Sequence, residues 1–233
     1  DQLALNFADL QVSIIAIGDG NQTLSSAYSD VLSAKRLVNP TYTLLADGID
    51  FASIEEYSNI AYTYNLSIAL VNSGNAIEVD NKNLSGGAKY QITDLYNLLK
   101  QNPEYESYFE QETKLIISVM LKSNDTNVIS SLVSTANANK LATVKNNKFV
   151  TTQSNKEISI LTADEVQNAS YYSVQIGNSK ITIQPEELKE GKIQIVLTDE
   201  ILKMLSANFQ AKIVANGGEV NGTMYFNSPE VSD

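Results

Sequence analysis

The sequence predicts an α+β protein with two domains: an N-terminal α/β domain of strand–helix units, residues 1–152, and a small β-sandwich of the immunoglobulin-like kind, residues 153–233. The first domain is predicted from the stretch 10–38, where an apolar run, a Gly-rich turn and apolar residues at helical spacing follow one another, and from the same order at 114–140. The second is predicted because the hydrophobic period changes to two beyond the polar stretch 151–157.

The N-terminal domain is expected to begin with an extended arm over residues 1–7 that leads into a first strand ending near Ile17. The alternating apolar residues of the arm are Leu3, Leu5 and Phe7. In an alternative interpretation, these three residues point inward and belong to the first sheet. A helix then begins at Asn21 or Thr23 and ends near Val38, before Asn39-Pro40.

Alternating strands and helices are expected over the rest of this domain. The apolar runs predict strands at 41–45, 66–71, 76–79, 115–121 and 143–150. Capping residues and helical spacing predict helices that begin near residues 53, 93, 103 and 125, the first one reaching Tyr64 and the last one reaching Ala136. The Asn-, Ser- and Gly-rich stretch 80–87 predicts a loop.

The C-terminal domain is expected to be made of short strands separated by Gly-containing turns. Strands are predicted at 172–176, 181–183, 193–197, 211–214 and 223–226, with turns at 177–178 and 216–218. One helix, 198–205, interrupts them. Small sandwiches of this kind join or display other groups more often than they catalyse.

The composition excludes several kinds of chemistry. The chain has 12 Tyr but no His, no Cys and no Trp, so it lacks disulfides, thiolate nucleophiles and the usual general base near neutral pH. A net charge of −11 with no clustered Lys or Arg disfavours nucleic acid as a partner. No run of about 18 apolar residues that would span a membrane is present. Because the chain begins at Asp1 rather than Met, we expect a processed or excised product.

Two oxygen-rich turns are candidate calcium sites, and calcium is the one cofactor that the sequence suggests. Asp19 and Asn21 alternate like the first ligands of a calcium loop, and Asp80 and Asn83 stand in the polar stretch after a predicted strand. The alternative is an ordinary turn without an ion, because such residues favour turns by themselves.

Subunit contacts are expected from the arm and from tyrosines. Tyr buries a large area while keeping a polar tip, which suits protein interfaces. The candidate contact residues are Leu3, Leu5, Phe7, Tyr171 and Tyr172. The alternative for the tyrosines is a half-buried place in the core.

One resemblance concerns residues 22–142. The stretch 27–36 (AYSDVLSAKR) looks like the first helix of the extracytoplasmic domain of bacterial polysaccharide chain-length regulators. Residues 116–119 (IISV), with Asn124-Asp125 and Ala136-Asn137, look like the strand-to-helix return of that family. The resemblance implies a non-catalytic, oligomeric envelope protein and no catalytic residues.

The function expected from these observations is that of a non-catalytic structural or interaction protein. Low Met and the absence of Cys, together with much Asn, Ser and Thr, resemble the composition of surface-layer and virion proteins. Its partners would be copies of itself or other structural subunits, at a cell surface or on a virion particle. The alternatives are a chain-length regulator, and a glycan-binding module or carboxylate glycosidase whose two carboxylates would converge in a cleft.

Overall fold

The computed structural model describes residues 9–52, 60–71, 76–85, 90–101, 103, 110–154, 156–198 and 210–232. These residues form strands joined by turns, with one short α-helix, so the predicted N-terminal α/β domain is wrong. The elements are β1 (Asp9–Val12), β2 (Leu32–Arg36), β3 (Tyr42–Leu45), β4 (Gly48–Phe51), β5 (Ala61–Leu70), β6 (Ala76–Ser85), β7 (Tyr90–Ile92), α1 (Leu95–Lys100), β8 (Thr113–Ser123), β9 (Val128–Ile129), β10 (Ser134–Lys140), β11 (Lys148–Ser154), β12 (Lys156–Asp164), β13 (Tyr171–Ile176), β14 (Ser179–Ile183), β15 (Lys192–Val196), β16 (Ala211–Asn216), β17 (Gly218–Val220), β18 (Thr223–Phe226) and β19 (Val231–Ser232).

The largest sheet has six strands in the order β17-β18-β10-β8-β5-β6. Its central strand β8 buries every second side chain, as a strand with one covered face does. The sheet β3-β4-β7 and helix α1 cover that face, and together they enclose the first core. Phe51 stands at its centre, with ring centroids 4.7 Å from Tyr64 and 5.3 Å from Tyr90.

A second core lies between the sheets β11-β12-β15 and β14-β13-β16-β19. The side chains of Leu161 from β12, Val174 from β13 and Ile213 from β16 are all buried in it. Two antiparallel sheets with one shared core form a β-sandwich, so the short strands predicted in this region are present. The predicted boundary after residue 152 falls inside β11 and stays a prediction.

The two cores meet at β18, which runs parallel to β10 with Phe226 opposite Lys140. Successive side chains of a strand point to opposite faces. Phe226 is accordingly buried in the first core and Tyr225 in the second. The same strand therefore contributes to both cores.

One backbone motif recurs four times in the described residues, and we call it the serine bulge. In each copy, the backbone N–H of a partner residue donates to a serine Oγ, and the serine N–H donates to the carbonyl of that partner residue. The serine hydroxyl donates to the backbone carbonyl of the next residue in the chain. All twelve of these hydrogen bonds measure 2.8–3.0 Å. The pairs are Ile14 with Ser29, Ala16 with Ser26, Leu121 with Ser131, and Ala215 with Ser228.

The serine bulge explains why two of the predicted helices are wrong. From Val12 opposite Leu32 to Ile14 opposite Ser29, one limb advances two residues and the other advances three. Because one limb advances three residues at each such step, its apolar residues recur at a spacing close to the 3.6-residue period of a helix. The helix predicted over 21–38 is instead an extended limb that ends in β2, and the helix predicted over 125–136 is β9, a serine bulge and the start of β10.

Other predicted elements differ in smaller ways. The predicted loop 80–87 is wrong up to Ser85, because β6 continues that far beside β5. The helix predicted near residue 93 is α1, with Asp94 as its N-cap. The helix predicted from residue 53 is wrong over Ala61 and Tyr64, which lie in β5, and its first part lies outside the described residues. Most of the helices predicted from residue 103 and at 198–205 also lies outside the described residues. Within the described residues we find no helix long and apolar enough to cross a membrane.

Candidate functional site

The feature that stands out on the surface is a long hairpin formed by residues 9–36, which we call the projecting hairpin. Strands β1 and β2 form its base, with Asp9 opposite Lys35 and Val12 opposite Leu32. Almost every described side chain from Gln11 to Leu32 is exposed. The hairpin therefore extends away from the cores rather than packing on them.

Serine side chains hold the two limbs of the projecting hairpin together beyond its base. Its two serine bulges join Ile14 to Ser29 and Ala16 to Ser26. Nearer the tip, the Gly18 N–H donates to the Ser25 Oγ over 3.1 Å. Because the hydroxyls replace backbone carbonyls as acceptors, the limbs stay paired without a regular strand ladder.

Asp19 closes the tip of the projecting hairpin. Its Oδ1 accepts the backbone N–H groups of Asn21, Gln22 and Thr23 and the hydroxyl of Thr23, at 2.9–3.0 Å. These donors favour the ionised carboxylate and hold the pKa of Asp19 well below its usual range. Asp19 thus acts as the side-chain acceptor of a tight turn.

The projecting hairpin concentrates the exposed apolar side chains of the protein. Of the twelve large hydrophobic residues that are exposed in the described residues, seven belong to it. They are Val12, Ile14, Ile17, Leu24, Tyr28, Val31 and Leu32. Leu24 is 96% exposed and Ile17 is 84% exposed, so both are almost fully in solvent. Exposed apolar side chains that cluster on one element in this way mark interaction sites.

The base of the projecting hairpin is fixed to the first core. Strand β2 runs parallel to β9, and the Leu37 N–H donates to the Ile129 carbonyl over 2.9 Å. The Leu37 side chain is buried in the first core. In the sheet order β1-β2-β9, β1 is at the edge, and among the described residues no strand pairs with its outer side. The hairpin is therefore held at its base.

The predicted contact residues lie in different places. Leu3, Leu5 and Phe7 lie outside the described residues. Tyr171, 37% exposed, begins β13 at the surface. Tyr172 is buried in the second core, where its hydroxyl accepts the Val166 N–H over 2.9 Å and donates to the Val166 carbonyl over 3.0 Å. The Tyr172 ring thus contacts its own chain, and burial raises the pKa of its hydroxyl.

The predicted calcium ligands are split between the projecting hairpin and an edge strand. Asp19 and Asn21 share the tip, where the Asn21 N–H donates to the Asp19 carboxylate. Asp80 and Asn83 lie in β6, opposite Leu66 and Thr63 of β5. The described residues contain no group of three or more acidic side chains placed to hold a metal ion. Calcium binding stays a prediction.

The residues that carried the family resemblance also lie in extended structure. Residues 27–36 form the second limb of the projecting hairpin, and residues 116–119 lie in β8. Asn124 and Asp125 follow β8 directly, and Ala136 and Asn137 lie in β10. A helix like that of the chain-length regulators is therefore not found at 27–36.

The projecting hairpin itself is not predicted by the sequence pattern. Its tip, Gly18-Asp19-Gly20-Asn21, was correctly predicted as a tight turn, but the residues after it were assigned to a helix that packs inward. The signal that was available is the serine spacing, since Ser26 and Ser29 are three residues apart and separated by apolar residues. Serine is a poor residue for the interior of a helix, which favours the extended alternative.

Comparison with known proteins assigns no family to this chain. No family model matches the chain, and no curated protein matches it. Among solved structures, the FN1-FN3 domains of chicken CNTN1 align with 97% of this chain and 76% of that chain, at 9% sequence identity and a TM-score of 0.32. At that TM-score we transfer neither fold nor function from the alignment.

Proposed function

We propose that this chain is a non-catalytic interaction module that binds a second copy of itself through the projecting hairpin, as a structural component of a cell surface or virion particle. The observation that carries the proposal is the exposure of seven large apolar side chains on one hairpin whose base is fixed to the core. Water-exposed apolar surface is unfavourable, and a partner that covers it gains the hydrophobic free energy.

The size of this surface is sufficient for a stable contact. Seven side chains of this size, about 70% exposed on average, present on the order of 800 Å². That is about the area that each partner contributes to a standard interface. Ile14 and Ile17 are an odd number of residues apart in an extended limb, so their side chains lie on opposite faces. A partner must therefore enclose the hairpin rather than pack against one face.

The charge distribution supports a second copy as the partner. Between residues 10 and 34 the only charged side chains are Asp19 and Asp30, in a chain whose net charge is −11. Two copies that approach hairpin to hairpin therefore bring together surfaces with few charges, which limits electrostatic repulsion.

The test is the solution mass of the full chain as a function of its concentration. We expect a dimer or larger assembly. Its dissociation constant should rise at least tenfold in the double variant Ile17→Thr/Leu24→Ser. Neither side chain is buried in the folded monomer, so far-UV circular dichroism and urea unfolding should match those of the unmodified chain.

A matched control is Val71→Thr/Val196→Thr. These residues are also exposed apolar side chains, at 47% and 49%, but they lie away from the hairpin, so the control should assemble normally. A chain that remains monomeric at millimolar concentration would refute self-association. Equal weakening in the control and in the hairpin variant would refute the hairpin as the contact surface.

A further inference from the structure

Exposed apolar side chains continue from the projecting hairpin onto the body of the protein. Of the five exposed large hydrophobic residues that the described chain has outside the hairpin, two lie at its base: Val38, 42% exposed, and Val133, 55% exposed. The Asn39 Oδ1 accepts the Leu132 N–H over 3.1 Å, and Val38 and Val133 are the chain neighbours of these two residues. We call Val38 and Val133 the base patch.

The tip of the projecting hairpin is its most exposed part. Leu24 is 96% exposed and Ile17 is 84% exposed, the two highest values among the exposed large hydrophobic residues of the described chain. Hydrogen bonds hold the tip in this place, because the Gly18 N–H donates to the Ser25 Oγ and Asp19 accepts three backbone N–H groups. A surface that covers the tip therefore removes the largest apolar area per residue from water.

The two ends of the hairpin differ in charge. At the tip, the N–H groups of the turn stabilise the ionised carboxylate of Asp19. At the base, β1, β2 and the turn that leads into β9 have as many acidic as basic residues, namely Asp9, Asp125, Lys35 and Arg36. The tip is therefore negative, whereas the base has no net charge.

This difference favours an antiparallel arrangement of two hairpins over a parallel one. Two parallel hairpins side by side bring their Asp19 carboxylates together, and likewise their Asp30 carboxylates. In an antiparallel arrangement the two Asp19 carboxylates lie about 25 Å apart, because the limb from Val12 to Gly20 rises about 3.3 Å per residue. Charges separated by more than about 8 Å are largely screened at physiological ionic strength. The antiparallel arrangement also brings each tip to the base of the other copy.

We propose that two copies lie with their projecting hairpins antiparallel, so that the tip of each, at Ile17 and Leu24, contacts the base patch of the other. This inference rests on the proposed self-association through the hairpin and adds the surface that receives the tip. The contact is isologous, so it is made twice about one two-fold axis. Each tip then touches both the hairpin and the body of its partner, which covers apolar side chains on more than one face.

The first test measures self-association of the full chain with the base patch changed. In Val38→Thr/Val133→Thr the dissociation constant should rise at least tenfold, because Thr keeps the shape of Val but adds a hydroxyl that is unfavourable to bury. Val71→Thr/Val196→Thr makes the same change at 47% and 49% exposure elsewhere and should associate normally. Combined with Leu24→Ser, the base-patch variant should weaken association by less than the product of the two separate effects, because both remove the same contact.

The second test uses cross-linking, because the chain has no Cys and an introduced cysteine is therefore unique. Leu24→Cys is mixed in equal amounts with Val133→Cys and treated with a short bismaleimide. The product that joins residue 24 of one copy to residue 133 of the other should exceed the product that joins residue 24 to residue 24. Val196→Cys in place of Val133→Cys is the matched control and should give no product with residue 24.

The outcomes separate this inference from the proposed function. A chain that stays monomeric at millimolar concentration would overturn both. If Ile17→Thr/Leu24→Ser weakens association but Val38→Thr/Val133→Thr does not, the hairpin is the contact surface and the base patch is not its receptor. A dominant product between two copies of residue 24 would likewise overturn the antiparallel arrangement and leave the hairpin as the contact surface.

Discussion

The serine bulges make a quantitative prediction, because the same motif occurs in buried and in exposed positions. In the second core, the Ser228 Oγ accepts the Ala215 N–H over 2.9 Å and donates to the Pro229 carbonyl over 3.0 Å, and both Ser228 and Ala215 are buried. Ser228→Ala leaves the Ala215 N–H without an acceptor and out of reach of water. An unsatisfied buried donor costs about 1–3 kcal/mol, so we expect the free energy of unfolding to fall by about 2 kcal/mol.

The matched comparison is Ser29→Ala in the projecting hairpin. There the Ser29 Oγ makes the same hydrogen bonds to Ile14 and Asp30, but the residues are exposed. Water can replace the hydroxyl as acceptor, so we expect a loss of at most about 0.5 kcal/mol. Ser131→Ala, whose serine accepts the Leu121 N–H in a buried position of the first core, should behave like Ser228→Ala.

Urea unfolding followed by near-ultraviolet circular dichroism of the tyrosines measures these differences, since the chain has no Trp. With a slope of about 2 kcal/mol per molar urea, a loss of about 2 kcal/mol moves the midpoint by about 1 M. If Ser228→Ala stays within about 0.5 kcal/mol of the unmodified chain, the hydroxyl is not an essential acceptor. If Ser29→Ala is as destabilising as Ser228→Ala, burial does not decide the effect. Either result refutes the reasoning.

Two further predictions concern the buried side chains of Tyr172 and Lys140. Tyr172→Phe removes both hydrogen bonds to Val166, so we expect a loss of about 1–3 kcal/mol by the same urea measurement; an unchanged midpoint would show that the loop before β13 is held by other contacts. Lys140 has a pKa of about 8 when folded, against 10.5 when exposed. The unfolded chain therefore binds more protons between these values, and stability should rise with pH by at most about 3 kcal/mol. The rise in stability should be absent in Lys140→Met, and an equal rise in that variant would contradict the assignment. In the unmodified chain, stability should fall again above about pH 10, because tyrosines of the unfolded chain ionise there while buried Tyr64, with its pKa raised to about 12, stays protonated.

The elements that the sequence predicted correctly are those in which one buried face sets the spacing of the apolar residues. Strands β5 and β8 were predicted because their apolar residues form dense runs, and the short C-terminal strands because Gly-containing turns separate them. The first residues of each strand were placed only to within a few positions. These successes depend on local pattern alone.

The failures arise where contacts distant in sequence decide the structure. Residues 24–32 have apolar residues at helical spacing, but their hydrogen bonds go to residues 14–18 of the other limb. The pairing of β10 with β18 joins residues far apart in the chain and leaves no periodic signal. The exposure of the projecting hairpin was not predicted for the same reason, because amphipathic spacing normally indicates an inward face.

The position of β18 has a consequence for synthesis on the ribosome. Domains generally fold as units in the order in which they emerge. Here the sheet that begins with β5 and β8 gains β17 and β18 only after the whole second sandwich up to Asn216 has been made. Until then the edge of β10 remains without its neighbour, and Phe226 is missing from the first core. The nascent chain therefore carries an unfinished sheet until β18 emerges, and the arrival of β18 contributes to both cores at once.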